Sequence, residues 1–167
     1  MANAYIALGS NLQNPVRQVQ SALAALSKLP HSHVIKASSL YKTAPVGYEA
    51  KDVDEIPDFI NAVVWLETTL SPEVLLEALF NIENLAGRER PFVNAPRVLD
   101  CDLLLYDHVE MQSKYLTIPH PRMHLRGFVL LPLFEINPEI IIGQHGKIAD
   151  IIAKQNFTDV VQQVNAS

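Results

Sequence analysis

Cysteine occurs once in the 167 residues, at Cys101, so the chain cannot form an intramolecular disulfide. A chain of this size has no need of one, because a single domain of such length buries roughly 70% of the surface its unfolded form would expose. With no disulfide framework, a reducing compartment is the simpler assumption, and a cytoplasmic location is expected. Long apolar runs are also missing, and Met1-Ala2-Asn3-Ala4-Tyr5 lacks the basic stretch and apolar stretch of a signal peptide. Neither a leader nor a membrane partner is expected. Positive charge is scarce: 13 Lys and Arg stand against 18 Asp and Glu, for a net charge of -5 and a pI near 5.6. That balance argues against a nucleic-acid partner, whose phosphate backbone is gripped by clustered cations. There is no Gly-x-x-x-x-Gly-Lys-Ser/Thr loop, no Gly-x-Gly-x-x-Gly after a strand and no zinc-ligand spacing. Any nucleotide would be held without either glycine device.

What is present alternates between two periods. Residues 3–9 form a short apolar run closed by Gly9-Ser10-Asn11 and read as a strand. Asn14 then caps a helix with Pro15 at its first position, and Val16, Val19, Leu23 and Leu26 recur at helical spacing up to Leu29-Pro30. Strands are expected over about 33–41 and 58–68, the latter carrying Phe59, Val63, Val64, Trp65 and Leu66. Ser71 caps and Pro72 opens a second helix through Ala86, with Leu75, Leu76, Leu79 and Ile82 inward and Gly87 at its end. A fourth strand spans 98–106, followed by a hairpin at 107–118, the turn Pro119-His120-Pro121 and a short helix near 127–135. The order strand, helix, strand, strand, helix, strand predicts an α+β fold with a ferredoxin-like βαββαβ core. In that fold both helices cover one face of an antiparallel sheet and leave the other for ligands, here with a C-terminal extension. The whole chain, 1–167, reads as one domain, with a monomer as the default. Two long irregular stretches, 43–57 and 88–97, interrupt the pattern in the way functional loops do.

The chemistry concentrates on Leu99-Asp100-Cys101-Asp102-Leu103. Strand alternation puts Asp100 and Asp102 on one face and Leu99, Cys101, Leu103 and Leu105 on the other. Two carboxylates in so apolar a strand demand a metal, a cationic partner such as Arg97, or an exposed edge. Hard oxygen ligands of this kind suit Mg²⁺, which pairs one or two carboxylates with substrate phosphates and water. Arg88, Arg90 and Arg97 fall within ten residues and form a basic island in an acidic chain, fit for phosphate oxygens or merely a solvated loop. His120, His124 and Arg126 form a second group, in which His120 alone would more simply be structural. Cys101 reads as a small buried hydrophobe.

These segments together resemble the 6-hydroxymethyl-7,8-dihydropterin pyrophosphokinase family of folate biosynthesis. The resemblance runs through Tyr5-Ile-Ala-Leu-Gly-Ser-Asn-Leu12, Ser39-Leu-Tyr-Lys-Thr-Ala-Pro45, Phe59-Ile-Asn-Ala62, Gly87-Arg-Glu-Arg90, Ala95-Pro-Arg-Val-Leu-Asp-Cys-Asp-Leu103 and Pro119-His-Pro-Arg-Met-His-Leu-Arg-Gly-Phe128. It implies transfer of the β,γ-diphosphate of ATP, as co-substrate, to the pterin hydroxymethyl oxygen. Two Mg²⁺ ions are implied on Asp100 and Asp102. It implies Thr43, Val46, Phe59, Asn61 and Phe128 as pterin contacts, and Arg88, Arg90, Arg97, His120 and Arg126 as the catalytic, phosphate-contacting set. Glu83, Leu103, Thr117 and His120 are implied beside the nucleotide, and both long loops as segments closing over the substrates. The sequence departs from some members at Phe80, Asn94, Ala95, Cys101, Tyr115 and Pro121.

Overall fold

A computed structural model of the protein describes residues 1–12, 14–43, 58–87, 98–157 and 160–162. Its centre is an antiparallel sheet. Strand β1 (Ala2–Ser10) lies between β4 (Phe59–Thr68) and β5 (Asp100–Tyr106). Beyond β4 come both β2 (Ser32–Ala37) and β3 (Tyr41–Thr43), and β8 (Val160–Gln162) adds to the outside of β3. A small hairpin, β6 (Met111–Gln112) with β7 (Thr117–Ile118), stands where 107–118 predicted one.

Helix α1 (Pro15–Ser27) begins as its sequence directs: Asn14 adopts a left-handed conformation at φ 61° and its side chain accepts from the Arg17 amide at 3.5 Å. Helix α2 (Pro72–Ala86) is capped by Ser71, whose hydroxyl accepts from the Val74 amide at 3.3 Å. Val19, Ala22 and Leu26 of α1 and Leu75, Leu79 and Ile82 of α2 pack on Ala4, Ile6, Leu8, Cys101 and Leu103 to form the first core. The opposite face of β1, through Tyr5 and Ala7, belongs to a second core. There α3 (Gly127–Ile136) and α4 (Ile148–Ala153) bring in Val129, Leu130, Leu133, Ile148 and Ile151. The expectation that this second face is left for ligands is therefore narrowed. The C-terminal extension covers much of it, because its apolar helices need a surface to bury against.

Two local departures have clear causes. The strand expected over 33–41 is split, because side chains enter the backbone bonding at Ser38 and Ser39. Ser38 exchanges bonds with Val63, its amide donating to the Val63 carbonyl and its hydroxyl accepting from the Val63 amide, each at 2.9 Å. The Ser39 amide and hydroxyl both donate to the Glu135 carboxylate, at 3.0 to 3.1 Å. Strand β5 carries a bulge at Leu104, since Tyr5 pairs with Leu105 while Ile6 pairs with Leu103. Leu105 therefore joins Tyr5 in the second core, contrary to the simple alternation that grouped it with Leu103.

Candidate active site

The bulge leaves the first half of β5 in regular alternation. Asp100 pairs with Gly9 and Asp102 with Ala7 across the β1 ladder, and Cys101 points into the first core. Side chains on opposed residues lie side by side, so small residues at 7 and 9 leave the two carboxylates room on their own face. That face opens into a cavity of about 510 Å³. Asp100 and Asp102 are half-buried in it.

Strands β3 and β4 form the next wall. Asn61 pairs with Gly9 on one side and Tyr41 on the other, and Phe59 pairs with Thr43. Phe59, Asn61 and Thr43 all line the cavity. Asn61 is only 5% exposed, and its Nδ2 finds no hydrogen-bond partner among the described residues. An unsatisfied buried donor costs about 1–3 kcal/mol, which an acceptor on a bound molecule would offset. The glycine at position 9 is required here by space, because a Cβ on it would stand 2.9 Å from Asn61 Oδ1.

The third wall is the start of α3. Arg126 precedes the helix, its guanidinium 5.7 Å from the centre of the Phe128 ring, and both residues line the cavity. Arg122 lines it too. Sequence reasoning passed over Arg122, although it lies between His120 and Arg126 in the same cationic segment. Phe157 and Val160 complete the lining from the C-terminal segment, and nothing in their surrounding polar sequence marked them.

The residues implied for the nucleotide gather around β5 rather than in the cavity. Glu83 Oε2 accepts from the Cys101 amide at 2.8 Å on the outer edge of the strand. The His120 amide donates to the Leu104 carbonyl at 2.9 Å. His120 Nδ1 accepts from the Arg122 amide at 3.2 Å, which places the proton of the neutral ring on Nε2. Burial lowers the His120 pKa, and the Asp102 charge opposes that shift. Leu103 is buried at 2% exposure, so only its backbone could meet a ligand, and Thr117 sits half-buried in β7. Burial first, and then the charges of Glu83, Asp102 and Asp100, push the Cys101 thiol well above its ordinary range, in keeping with an inert core residue. Val46, Arg88, Arg90, Arg97 and, apart from Thr43, both long loops lie outside the described residues.

Two carboxylates, three aromatic rings, an unsatisfied amide and two guanidinium groups thus surround one space. A flat heterocycle with polar edges and a phosphate chain would use each of them.

Comparison with known proteins finds relatives along most of the chain. Residues 5–138 match the model of the 7,8-dihydro-6-hydroxymethylpterin-pyrophosphokinase (HPPK) family. A 2-amino-4-hydroxy-6-hydroxymethyldihydropteridine pyrophosphokinase of Haemophilus influenzae is 45% identical over 159 residues, 95% of each chain. One of Bacillus subtilis is 42% identical, over 82% of this chain and 79% of its own. Among solved structures, Plasmodium falciparum HPPK-DHPS with pterin and p-hydroxybenzoate superimposes with a TM-score of 0.68 at 18% identity. That match covers 92% of this chain and 43% of the longer one, a likeness of fold alone. With its sequence matched along most of its length, the chain belongs to the 7,8-dihydro-6-hydroxymethylpterin-pyrophosphokinase family.

Proposed function

We propose that the cavity seats the pterin and that Asp100 and Asp102 bring the ATP phosphates to its mouth. Family membership makes the protein an ATP-dependent diphosphokinase of folate biosynthesis. The reaction moves the β,γ-diphosphate of ATP to the hydroxymethyl oxygen of 6-hydroxymethyl-7,8-dihydropterin and leaves AMP. The observation that carries the site assignment is the meeting of Asp100, Asp102 and the unsatisfied Asn61 amide in one cavity.

The donor set suits Mg²⁺. It consists of carboxylate oxygens, and among the described residues no third His, Cys, Asp or Glu groups with them. Phosphate oxygens and water would complete the shell, as this cation prefers. Two such ions on Asp100 and Asp102 would neutralise charge on the transferred and leaving phosphoryl groups. The chain's own groups do the positioning. Phe59 and Phe128 offer ring faces to the pterin, and Asn61 and Thr43 offer polar groups to its edge, with Val46 assigned there by sequence. Arg126 faces the same space and would hold a phosphate oxygen, with Arg88, Arg90 and Arg97 assigned to that task by sequence. His120, with a donor at Nε2, would serve the nucleotide, a role the sequence resemblance also gives Glu83, Thr117 and the Leu103 backbone. Because no group among the described residues stands out as a dedicated base, orientation and electrostatics would carry the rate.

The sheet order β5, β1, β4, then β2 and β3, with α1 and α2 on one face, supports a ferredoxin-like core within a single domain. A cytoplasmic monomer without a nucleic-acid partner completes the reading. No described helix is long and apolar enough to cross a membrane.

Incubation with Mg-ATP, with and without the reduced hydroxymethyl pterin, tests the reaction. AMP should form only when both substrates are present. Inorganic phosphate released without pterin would mark a phosphohydrolase, and pterin binding without AMP would mark a non-catalytic binding module.

A further inference from the structure

We infer that Phe157 is a further substrate-contacting residue, whose ring sets the depth of the pterin subsite. The inference rests on the cavity reading given above. It concerns a part of the chain beyond residue 138, where the family match ends. Phe157 is half-buried, packs against the second core and lines the cavity with Phe128 and Asp102. Its position is tightly defined. A Cβ built on Gly127 would meet Phe157 Cγ and Cδ1 at 2.5 Å and Cβ at 2.8 Å, so the phenyl group occupies the volume that any side chain at 127 would need. Gly127 is the first residue of α3 and adjoins Phe128, so the Phe157 ring stands beside the base of an aromatic wall of the cavity.

The backbone fastens it from the other side. The Phe157 carbonyl accepts from the Val160 amide at 3.2 Å, and Val160 pairs with Thr43 in the β3–β8 ladder. The C-terminal strand thereby links Phe157 to Thr43, which lies on the opposite flank of the same cavity. An apolar ring in that place suits the flat face of a heterocycle and offers nothing to a triphosphate. Its loss should therefore weaken the pterin and spare ATP. A residue serving only the second core would affect both substrates through general loosening.

The test compares wild type with Phe157→Ala, Phe157→Leu, Gly127→Ala and the Gly127→Ala/Phe157→Ala double variant. The affinity for 6-hydroxymethylpterin is followed by its fluorescence in the presence of a non-hydrolysable ATP analogue, and KM for ATP is measured separately. Expected is a weakening of pterin binding by at least about tenfold in Phe157→Ala and a smaller loss in Phe157→Leu, as removal of stacking and contact area requires. KM for ATP should stay within about twofold. Gly127→Ala should also weaken the pterin by displacing the ring, and the double variant should bind no worse than Phe157→Ala alone, since the displaced group is then gone. Pterin affinity in Phe157→Ala within about twofold of wild type, or an equal rise in KM for ATP, overturns the inference. If Phe157→Ala does not fold, Phe157→Leu decides on the same criteria. Wild-type protein that fails to bind the pterin at all refutes the cavity reading itself, a result distinct from a silent Phe157.

Discussion

Replacing Glu135 should loosen the fold well away from the phosphate chemistry. Its carboxylate, on α3, accepts from the Ser39 amide and hydroxyl and, at 2.7 Å, from the Tyr41 hydroxyl. These bonds tie α3 to the start of β3, the strand that carries Thr43 to the cavity. Glu135→Ala strands the hydroxyl of Tyr41, a residue only 3% exposed, while the Ser39 groups are half-buried and within partial reach of water. A stranded buried donor costs about 1–3 kcal/mol and each lost bond to a charged acceptor about 1.5–3, so a total near 3 kcal/mol is expected once water is credited to Ser39. At roughly 2–4 °C per kcal/mol for a protein of this length, Tm should fall by about 6–12 °C. Glu135→Gln keeps one oxygen acceptor but turns an NH₂ toward a donor, and should lose about half as much. Urea unfolding of wild type, Glu135→Gln, Tyr41→Phe and the double variant closes a thermodynamic cycle. A coupling of about 1 kcal/mol is expected between the two side chains. Strict additivity, or a Glu135→Ala protein within about 0.5 kcal/mol of wild type, would show that the contact holds nothing together.

Asp100→Ala and Asp102→Ala should each lower turnover by at least about a hundredfold while pterin binding stays measurable, and near-normal rates in both would remove the metal role. Gly9→Ala should weaken pterin affinity severalfold, because its new methyl crowds Asn61 Oδ1; unchanged affinity would mean that Asn61 can swing aside at no cost to recognition. Burial, and after it the hydrogen bond and charge of Glu135, push the Tyr41 pKa upward. The folded protein thus keeps a proton that the unfolded chain loses near pH 10, so stability should hold below that pH and decline above it. Tyr41→Phe should flatten this alkaline decline in equilibrium unfolding, and an identical pH profile in the variant would refute the assignment.

Much of the framework was legible because the residues keep one period over a whole element. Val19 and Leu26 in α1, and Leu75, Leu79 and Ile82 in α2, face the core as their spacing requires. The aspartates could be placed on one face because Cys101 between them is small and apolar, and it does turn inward. What escaped depends on distant partners. The split between β2 and β3 is made by Ser38 and Ser39 acting on Val63 and Glu135, the latter 96 residues from Ser39. The bulge was invisible because Leu103, Leu104 and Leu105 are all apolar, so a slipped register leaves no mark in the pattern. The place of Phe157 was invisible for a related reason: one aromatic in a polar stretch has no periodicity, and its role comes from Gly127 and from the pairing of β8 with β3.

That bulge makes β5 a strand with two allegiances. Without it, Tyr106 would share the face of Asp100 and Asp102, and Leu105 would turn toward α1 and α2. With it, Tyr106 instead packs on the first core and its hydroxyl reaches the Leu70 carbonyl at 2.5 Å, while Leu105 seals the second. Length at Leu104 therefore matters more than the identity of the residue there. Another aliphatic side chain can replace leucine, but removing one residue turns every side chain on one flank of the deletion to the opposite face, where a different core waits. The stretch from Asp102 to Tyr106 should thus tolerate aliphatic exchange at Leu104 but not the insertion or deletion of a single residue.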